Sequence, residues 1–339
     1  MKLTFSQLRR LVRGAALIQE NKDGSAFLRR MTPAQIQGGR VADPDGFQGQ
    51  TAAGITLDFI TDAEIVTVTL SGTKKGTRKT MVVDLLVDGR LSRSQSCWFP
   101  AGEDKNAVTS YGTHAFAFPL HKGEKRVTVQ FNCFCTVDEL TLELSDGAAF
   151  RPYTHKRSLL AFGDSITQGH TAQHPSRTYA SQVGQLLDAE IFNYGISAER
   201  FEEAKIIPGT YPECDLVTIA YGTNDFGHQS ASEALFARNM PAFLAKAAAE
   251  FSHVPVFVIL PLWRADFDKV YNSVGSLADL RARIAAEAEK YPNFHVLDGW
   301  ELIPHDPEYF ADRFLHPNEK GMDAYAENLY EKIREELSI

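Results

Sequence analysis

The sequence predicts two domains of different class, an N-terminal antiparallel β-sandwich and a C-terminal α/β domain with a parallel sheet. The chain has 339 residues, which is more than one typical hydrophobic core accommodates. The pattern of apolar residues also changes near residue 150. Before that point short segments alternate apolar and polar side chains, as half-buried strands do; after it, apolar strands alternate with long helical stretches.

Short strands with period-two alternation predict the sandwich, which we expect to be jelly-roll-like and to occupy residues 1–150. Turns rich in Gly, Lys and Asp separate these strands, as in antiparallel sheets. A linker over residues 147–157 contains turn-forming and basic residues, and we expect the second domain to span residues 155–339. The predicted strands of the sandwich are residues 55–59, 65–70, 81–89, 127–131 and 140–144.

The second domain is predicted to be α/β because its strands alternate with helical stretches. The clearest of these stretches cover residues 231–251 and 277–291. Alternation of this kind is typical of a parallel sheet with helices on its faces. The carboxyl ends of such strands meet at one edge of the sheet, where domains of this class bind small molecules.

The most informative motif is the Gly163-Asp164-Ser165 turn, which follows an apolar strand and precedes a polar, helix-capping segment. The turn presents one serine hydroxyl at the end of a strand. Such a hydroxyl is a poor nucleophile unless a base removes its proton, a third group orients the base, and donors stabilise the oxyanion. Taken alone, the tripeptide is more often an ordinary turn, since all three residue types favour turns.

Three further segments follow apolar runs and are therefore predicted at the same sheet edge. They supply Gly195, Asn224 and His316, in that order along the chain. Each residue alone has a structural explanation, as a turn glycine, an Asx cap or a loop histidine. Together with the Gly163-Asp164-Ser165 turn they make four segments, and separate structural explanations do not account well for all four. The three segments read Asn193-Tyr194-Gly195, Gly222-Thr223-Asn224-Asp225 and Leu315-His316-Pro317-Asn318.

The four segments together resemble the SGNH or GDSL hydrolase family, over roughly residues 157–337. The resemblance implies a flavodoxin-like fold and a serine esterase, in which Ser165 attacks the ester carbonyl and His316 is the general base. It further implies that the oxyanion is held by the N–H groups of Ser165 and Gly195 and by the side-chain amide of Asn224. The expected substrate is a short-chain acyl ester.

The acid that should orient His316 departs from the family pattern. The family carries Asp-x-x-His, whereas the third residue before His316 is Arg313 and the nearest acid is Asp312. A loop can absorb one extra residue, and we expect Asp312 to bond the imidazole. The alternative is a dyad, in which a backbone carbonyl or another acid such as Asp306 orients His316.

The order of the two domains is similar to that of two-domain acetyl esterases that act on plant polysaccharides. This likeness of architecture implies that the protein removes acetyl groups from a carbohydrate ester. The sandwich could bind carbohydrate, form one wall of the active-site cleft or mediate a homo-oligomer.

Two other functions of the protein stay open: an acyltransferase that uses the same serine, and a carbohydrate-binding protein without activity. The intact four segments argue against the latter.

Two segments near the predicted sheet edge offer candidates for substrate binding. Trp263 and Arg264 follow a strand at residues 256–260; the indole could stack on a sugar ring and the guanidinium could hold a polar group. An equally good interpretation is a tryptophan packed under the loop beside a solvated arginine. His228 follows Asn224 closely and could contact substrate, although a surface position is the simpler interpretation.

Charge and composition argue against several other classes of protein. The formal net charge of −8 disfavours nucleic acid and acidic membrane surfaces as partners. We find no apolar run long enough to span a bilayer and no secretory signal in residues 1–13.

Four cysteines without Cys-x-x-Cys spacing predict buried, reduced thiols and hence a cytoplasmic protein. The expected chemistry needs no cofactor, and the histidines lack a metal-binding spacing.

Overall fold

The computed structural model describes residues 1–75, 79–99, 104, 106–227, 231–271 and 274–338. The chain divides into two compact units, each formed by three segments. The N-terminal unit comprises Met1–Thr32, Gln50–His155 and Gln173–Ser176. The C-terminal unit comprises Pro33–Gly49, Lys156–Ala172 and Arg177–Ile339.

The division departs in two places from two contiguous domains. Pro33–Gly49 belongs with the C-terminal unit, where the Gln35 side chain donates to the carbonyl of Thr210 at 3.1 Å. Gln173–Ser176 belongs with the N-terminal unit, because the hydroxyl of its last residue donates to the Asp84 carboxylate at 2.6 Å. No change of composition in the sequence marks either segment, so the sequence did not predict these assignments.

Two larger antiparallel sheets and one two-stranded sheet form the described part of the N-terminal unit. Its helix is α1 (Phe5–Arg9), and its strands are β1 (Val12–Arg13), β2 (Leu17–Glu20), β3 (Ala26–Arg29), β4 (Thr56–Thr61), β5 (Ile65–Lys75), β6 (Thr80–Val87), β7 (Arg90–Trp98), β8 (Val108–Pro119), β9 (Lys125–Phe131), β10 (Glu139–Leu144) and β11 (Phe150–Pro152). One sheet has the order β1-β4-β9-β6-β7 with β11 beside β4, the other has the order β10-β5-β8, and β2 pairs with β3. Buried residues of both sheets, among them Val68 and Val83, join one hydrophobic core. The five predicted strands correspond to β4, β5, β6, β9 and β10.

A five-stranded parallel sheet forms the centre of the C-terminal unit. The elements of this part of the chain are α2 (Pro33–Gly38), α3 (Phe47–Gln50), β12 (Arg157–Gly163), α4 (Ser165–Gln168), α5 (Tyr179–Leu187), β13 (Ala189–Asn193), β14 (Leu216–Ala220), α6 (Thr223–Gly227), α7 (Glu233–Glu250), β15 (Val256–Ile259), β16 (Val270–Tyr271), β17 (Gly275–Ser276), α8 (Leu277–Ala288), β18 (Phe294–Leu297) and α9 (Glu319–Leu337). Short 3₁₀ helices cover Pro175–Arg177, Glu203–Lys205, Gly299–Glu301 and Pro307–Tyr309. None of the helices in the described residues is both long enough and apolar enough to cross a membrane.

The parallel sheet has the order β13-β12-β14-β15-β18, which is the flavodoxin-like order that the family resemblance implies. Every residue of β15 is buried, as expected for a strand covered on both faces. The order in which strands are added to the sheet reverses at β12, because β13 lies on one side of β12 and β14 lies on the other. Ligands bind at such a switch point, outside the carboxyl ends of the strands. The loops after β12, β13 and β14 meet there.

Candidate active site

Ser165 begins α4, directly after β12 and a tight turn. Gly163 makes this turn feasible, because a Cβ at its position would lie 2.0 Å from the Thr167 hydroxyl. The Asp164 side chain caps the short helix by accepting from the Ile166 N–H at 2.9 Å. The serine is thereby held at the carboxyl edge of the sheet, where 7% of its surface is exposed.

The loop before α9 brings a histidine and a carboxylate to this serine. The Ser165 hydroxyl lies 3.0 Å from His316 Nε2, and His316 Nδ1 lies 2.7 Å from Asp312 Oδ2. The two ring nitrogens therefore contact different partners, so the imidazole is oriented by the acid and faces the hydroxyl. These three side chains have the geometry of a nucleophile, a base and an orienting acid.

The second oxygen of Asp312 anchors the loop itself. Oδ1 accepts from the N–H groups of Phe314, Leu315 and His316 at 2.9, 2.8 and 3.1 Å. Burial alone raises the pKa of the Asp312 carboxyl, but the hydrogen bonds from these N–H groups and from the His316 ring hold it below its ordinary value. The carboxylate is therefore ionised when it faces the imidazole.

Asn224 lies in the first turn of α6 and lines the cleft beside Ser165. Its Nδ2 donates one hydrogen to the carbonyl of Glu199 at 2.9 Å. Within the described residues no acceptor binds the second hydrogen, and none binds the N–H of Ser165. Two donors are thus available beside the hydroxyl.

Gly195 lies against the turn that carries the serine, but its N–H is already bonded. A Cβ at this position would come within 2.5 Å of the Gln168 N atom and 2.9 Å of the Asp164 carbonyl. The Gly195 N–H donates to Asn193 Oδ1 at 2.9 Å, a bond that the sequence did not predict. Because the colliding atoms belong to the backbone, only glycine permits this close approach.

A cleft of about 380 Å³ opens over these groups within the C-terminal unit. Its lining combines the polar groups above with small and apolar side chains. Among the described residues, no group of three or more His, Cys, Asp and Glu side chains is arranged to hold a metal ion. The lining residues are Ser165, His170, Ser197, Ala198, Thr223, Asn224, Gly227, Arg264, Phe314, Leu315 and His316.

The candidates for substrate binding fall into three different positions. Trp263 is 7% exposed, packs in the hydrophobic core against Phe310 as in the second of the two interpretations, and does not line the cleft. Arg264 lines the cleft but is not the solvated arginine of the alternative interpretation, because it is 3% exposed and its guanidinium bonds Asp266 and the Thr223 carbonyl. His228 lies outside the described residues.

Two buried carboxyl groups flank the serine and the asparagine. Burial raises the pKa of Asp164 to about 7, and burial likewise raises the pKa of Asp225 to about 7. Asp164 directly precedes Ser165 and Asp225 directly follows Asn224, but the side chains of both aspartates are buried. Their raised pKa values reflect desolvation, and we assign neither carboxyl a chemical step.

Sequence reasoning missed two residues near the site. The His170 ring packs edge-on against the His316 ring, with 4.6 Å between the ring centroids. Its position directly after the Gly163–Gly169 run was the signal that could have identified it. Glu199 carried no comparable signal, because a charged side chain in a loop normally indicates solvent exposure and this one is buried.

Residues 161–324 match the model of the GDSL-like lipase/acylhydrolase family. The match places a GDSL-like lipase/acylhydrolase domain in this segment, and the class of protein that it supports is an ester-bond hydrolase. No curated protein matches the chain.

Solved structures of low sequence identity share the fold of the whole chain. A salicylyl-acyltransferase, SsfX3, from a tetracycline biosynthetic pathway has a TM-score of 0.73 at 20% identity, covering 97% of this chain and 94% of that chain. A family two carbohydrate esterase from Cellvibrio japonicus has a TM-score of 0.64 at 15% identity, covering 100% and 98%. An acetyl xylan esterase from Butyrivibrio proteoclasticus has a TM-score of 0.56 at 15% identity, covering 84% and 90%.

Proposed function

We propose that this protein is a serine esterase that removes short acyl groups, acetyl in particular, from carbohydrate esters. The observation that carries the proposal is the continuous contact from the Ser165 hydroxyl through His316 to Asp312, beside a cleft of limited volume that Ser165 and His316 line. The family match of residues 161–324 supports ester chemistry. The names of the carbohydrate esterase and acetyl xylan esterase neighbours support the choice of substrate.

The proposed reaction has two halves that share one base. The Ser165 oxygen attacks the ester carbonyl while His316 Nε2 takes its proton, and the ionised Asp312 stabilises the imidazolium. Collapse of the tetrahedral intermediate breaks the bond to the alcohol, which receives the proton from His316. Water then attacks the acyl-enzyme in the same way, which releases the acid and restores the serine.

We assign two groups to the developing oxyanion. They are the N–H of Ser165 and the second hydrogen of the Asn224 amide, which have no acceptor among the described residues. Loss of one such donor typically costs about 10²–10³ in turnover. Gly195 stays a predicted third donor; its N–H would have to be shared between Asn193 and the oxyanion.

The cleft favours a small polar ester over a long acyl chain. Its volume of about 380 Å³ lies toward the lower end of the range for small-molecule sites, roughly 300–1,000 Å³. Phe314 and Leu315 offer apolar contact to a short acyl group, and Arg264 offers a guanidinium N–H to an oxygen of the alcohol. These features support an acetylated sugar as the substrate.

Hydrolysis of a series of p-nitrophenyl esters from acetate to octanoate tests the proposal, followed by acetate release from acetylated oligosaccharides. We expect the wild type to prefer acetate and to deacetylate the sugars, and Ser165→Ala to lose both activities. Ser158→Ala is the matched control, since Ser158 lies on the same strand and bonds Asp215 at 3.1 Å. Activity in Ser165→Ala equal to that of the control would refute the proposal.

An acyltransferase is the second candidate, because the salicylyl-acyltransferase structure covers nearly the whole chain. A transferase uses the same acyl-enzyme and lets an acceptor hydroxyl replace water in the second half. Product analysis with increasing concentrations of a sugar acceptor separates the two. Transfer that exceeds hydrolysis at millimolar acceptor would replace the esterase by the transferase; a constant yield of free acid would retain it.

A further inference from the structure

The segment from Ser197 to Glu199 connects the cleft with the protein interior. Ser197 and Ala198 line the cleft, and Ala198 has a backbone φ of +65°. This left-handed conformation is unfavourable for a residue with a Cβ, so surrounding contacts must hold it. On the cleft side, the N–H and the hydroxyl of Ser197 both donate to Gln168 Oε1 at 2.9 Å.

Glu199 holds the same segment from the interior. Its side chain is buried, and its carboxylate oxygens lie 3.1 and 2.9 Å from Lys205 Nζ. The Tyr221 hydroxyl donates to the same carboxylate at 3.1 Å. Hydrogen bonds to an ionised group are strong, and burial of all three side chains removes competition from water. The position of the Glu199 backbone is therefore tightly defined.

The backbone carbonyl of Glu199 in turn orients Asn224. It accepts from Asn224 Nδ2 at 2.9 Å, and a carbonyl can only face the donor end of an amide. The amide group is planar, so once one hydrogen is bonded to this carbonyl, the direction of the other is set. Asn224 lines the cleft, and that second hydrogen has no acceptor within the described residues.

We propose that Glu199 is a positioning residue, whose buried contacts with Lys205 and Tyr221 fix the carbonyl that aims the Asn224 amide at the oxyanion. The inference rests on the proposed function, since it presupposes that Asn224 stabilises the oxyanion. The carboxylate does not act through its charge, because a negative charge would oppose the oxyanion and Lys205 neutralises it. Glu199 acts by fixing the geometry of the Asn224 amide, so its loss should lower kcat rather than raise KM.

A double-mutant cycle between Glu199→Gln and Asn224→Ala tests the inference with p-nitrophenyl acetate as substrate. Asn224→Ala should lower kcat by about 10²–10³. Glu199→Gln should lower kcat by about tenfold and leave KM within about twofold, since only the transition-state contact is weakened. In the Asn224→Ala background the same substitution should change kcat by less than about twofold.

The outcomes separate this inference from the proposed function. If Glu199→Gln costs the same factor in both backgrounds, Glu199 supports only the fold and the inference is wrong. If Asn224→Ala keeps kcat within about threefold of the wild type, the oxyanion role of Asn224 fails and the inference fails with it. Neither result affects the assignment of Ser165, which depends on Ser165→Ala alone.

Two further variants control for damage to the fold. Glu203→Gln is the matched control, because it breaks a pair with Lys246 at 2.9 Å in which the two side chains are 51% and 40% exposed. We expect it to leave kcat unchanged. If Glu199→Gln does not fold, Tyr221→Phe removes one hydrogen bond to the carboxylate and retains the ion pair. Its loss of kcat should likewise vanish in the Asn224→Ala background, and an equal loss in both backgrounds would overturn the inference.

Discussion

One oxygen of Asp312 accepts three backbone N–H groups, and the other accepts from the His316 ring. The same side chain therefore folds the loop and orients the base. The sequence left a choice between Asp312, Asp306 and a backbone carbonyl as the partner of His316. In the structure Asp306 instead caps a 3₁₀ helix by accepting from the Glu308 N–H at 2.9 Å. The geometry thus favours Asp312 as the third member of a triad.

The role of Asp312 predicts a large loss of turnover on its removal. Asp312→Ala should lower kcat by at least about 10²-fold, because the imidazole loses both its orientation and the charge that stabilises its protonated form. Steady-state kinetics with circular dichroism as a check of folding measures this effect. Asp306→Ala is the control, and we expect it to stay within about twofold of the wild type. A loss below about tenfold for Asp312→Ala would reject the triad.

Asp225 predicts a pH dependence of stability with a defined sign. Burial raises the pKa of Asp225 to about 7. The hydrogen bond from the Phe201 N–H opposes this shift only weakly, because the Phe201 nitrogen lies 3.4 Å from the carboxylate oxygen. An unfolded Asp ionises near pH 4, so this group contributes stability that is fully present below that pH and is lost as the pH rises through about 7. Asp225→Asn should therefore raise Tm by several degrees at pH 8 and by much less at pH 5. Equal shifts of Tm at both pH values would contradict this account.

The positions of the candidate site residues were predictable where these residues belong to short motifs at the ends of strands. Ser165, His316 and Asn224 lie where the four segments of the sequence predict them, around one cleft. The bond from the Gly195 N–H to Asn193 was not predictable, because it depends on how a side chain turns back on its own loop. The same is true of Glu199, whose burial is decided by residues distant in sequence.

At the scale of elements, the loop between Phe310 and Pro317 explains how one extra residue between acid and base is accommodated. Phe310 and Pro317 form an isolated β-bridge, and the Ala311 N–H donates to the His316 carbonyl at 2.8 Å. Within this closed loop Arg313 adopts a left-handed conformation, with φ at +56°. That residue turns the chain sharply enough for Asp312 to reach the imidazole.

A pair of substitutions at Arg313 tests this explanation. The side chain pairs with Glu308 at 2.8 Å, but the two groups are 69% and 63% exposed, and such surface pairs contribute little, under about 1 kcal/mol. Arg313→Gly should keep kcat within about threefold, since glycine adopts positive φ freely. Arg313→Val should lower kcat by about tenfold or more, because a β-branched residue resists that conformation. Steady-state kinetics of the two variants decides; equal activities would show that the left-handed turn is not required.

Alternation of buried and more exposed side chains made some strands predictable from the sequence. β5 alternates buried and half-exposed residues along its length, and the alternation marks it clearly, although it continues to Lys75 beyond the predicted end at residue 70. β7 was missed because most of its residues are exposed, so no apolar period marks it. Helices α7 and α8 lie within the predicted stretches, with α8 ending at Ala288 rather than at residue 291.

At the scale of the whole molecule, the sequence predicted two classes of domain in the right order. It could not predict that Pro33–Gly49 joins the C-terminal unit, since that exchange depends on long-range contacts. None of the four cysteines, all of which lie in the described residues, forms a disulfide, and Cys97 and Cys214 are only half-buried. The likeness of the solved structures extends over most or all of the chain, so the pairing of these two units is a recurrent architecture.

Ser165 is the proposed nucleophile of an ester-cleaving site. The most direct measurement is intact-mass spectrometry after treatment with an organophosphate that phosphorylates activated serines, followed by peptide mapping. We expect one adduct per chain, located on Ser165, together with loss of esterase activity in proportion to labelling. Ser165→Ala should stay unlabelled, and His316→Ala should react far more slowly. An unlabelled wild type that still cleaves esters, or an adduct on another residue, would contradict the account.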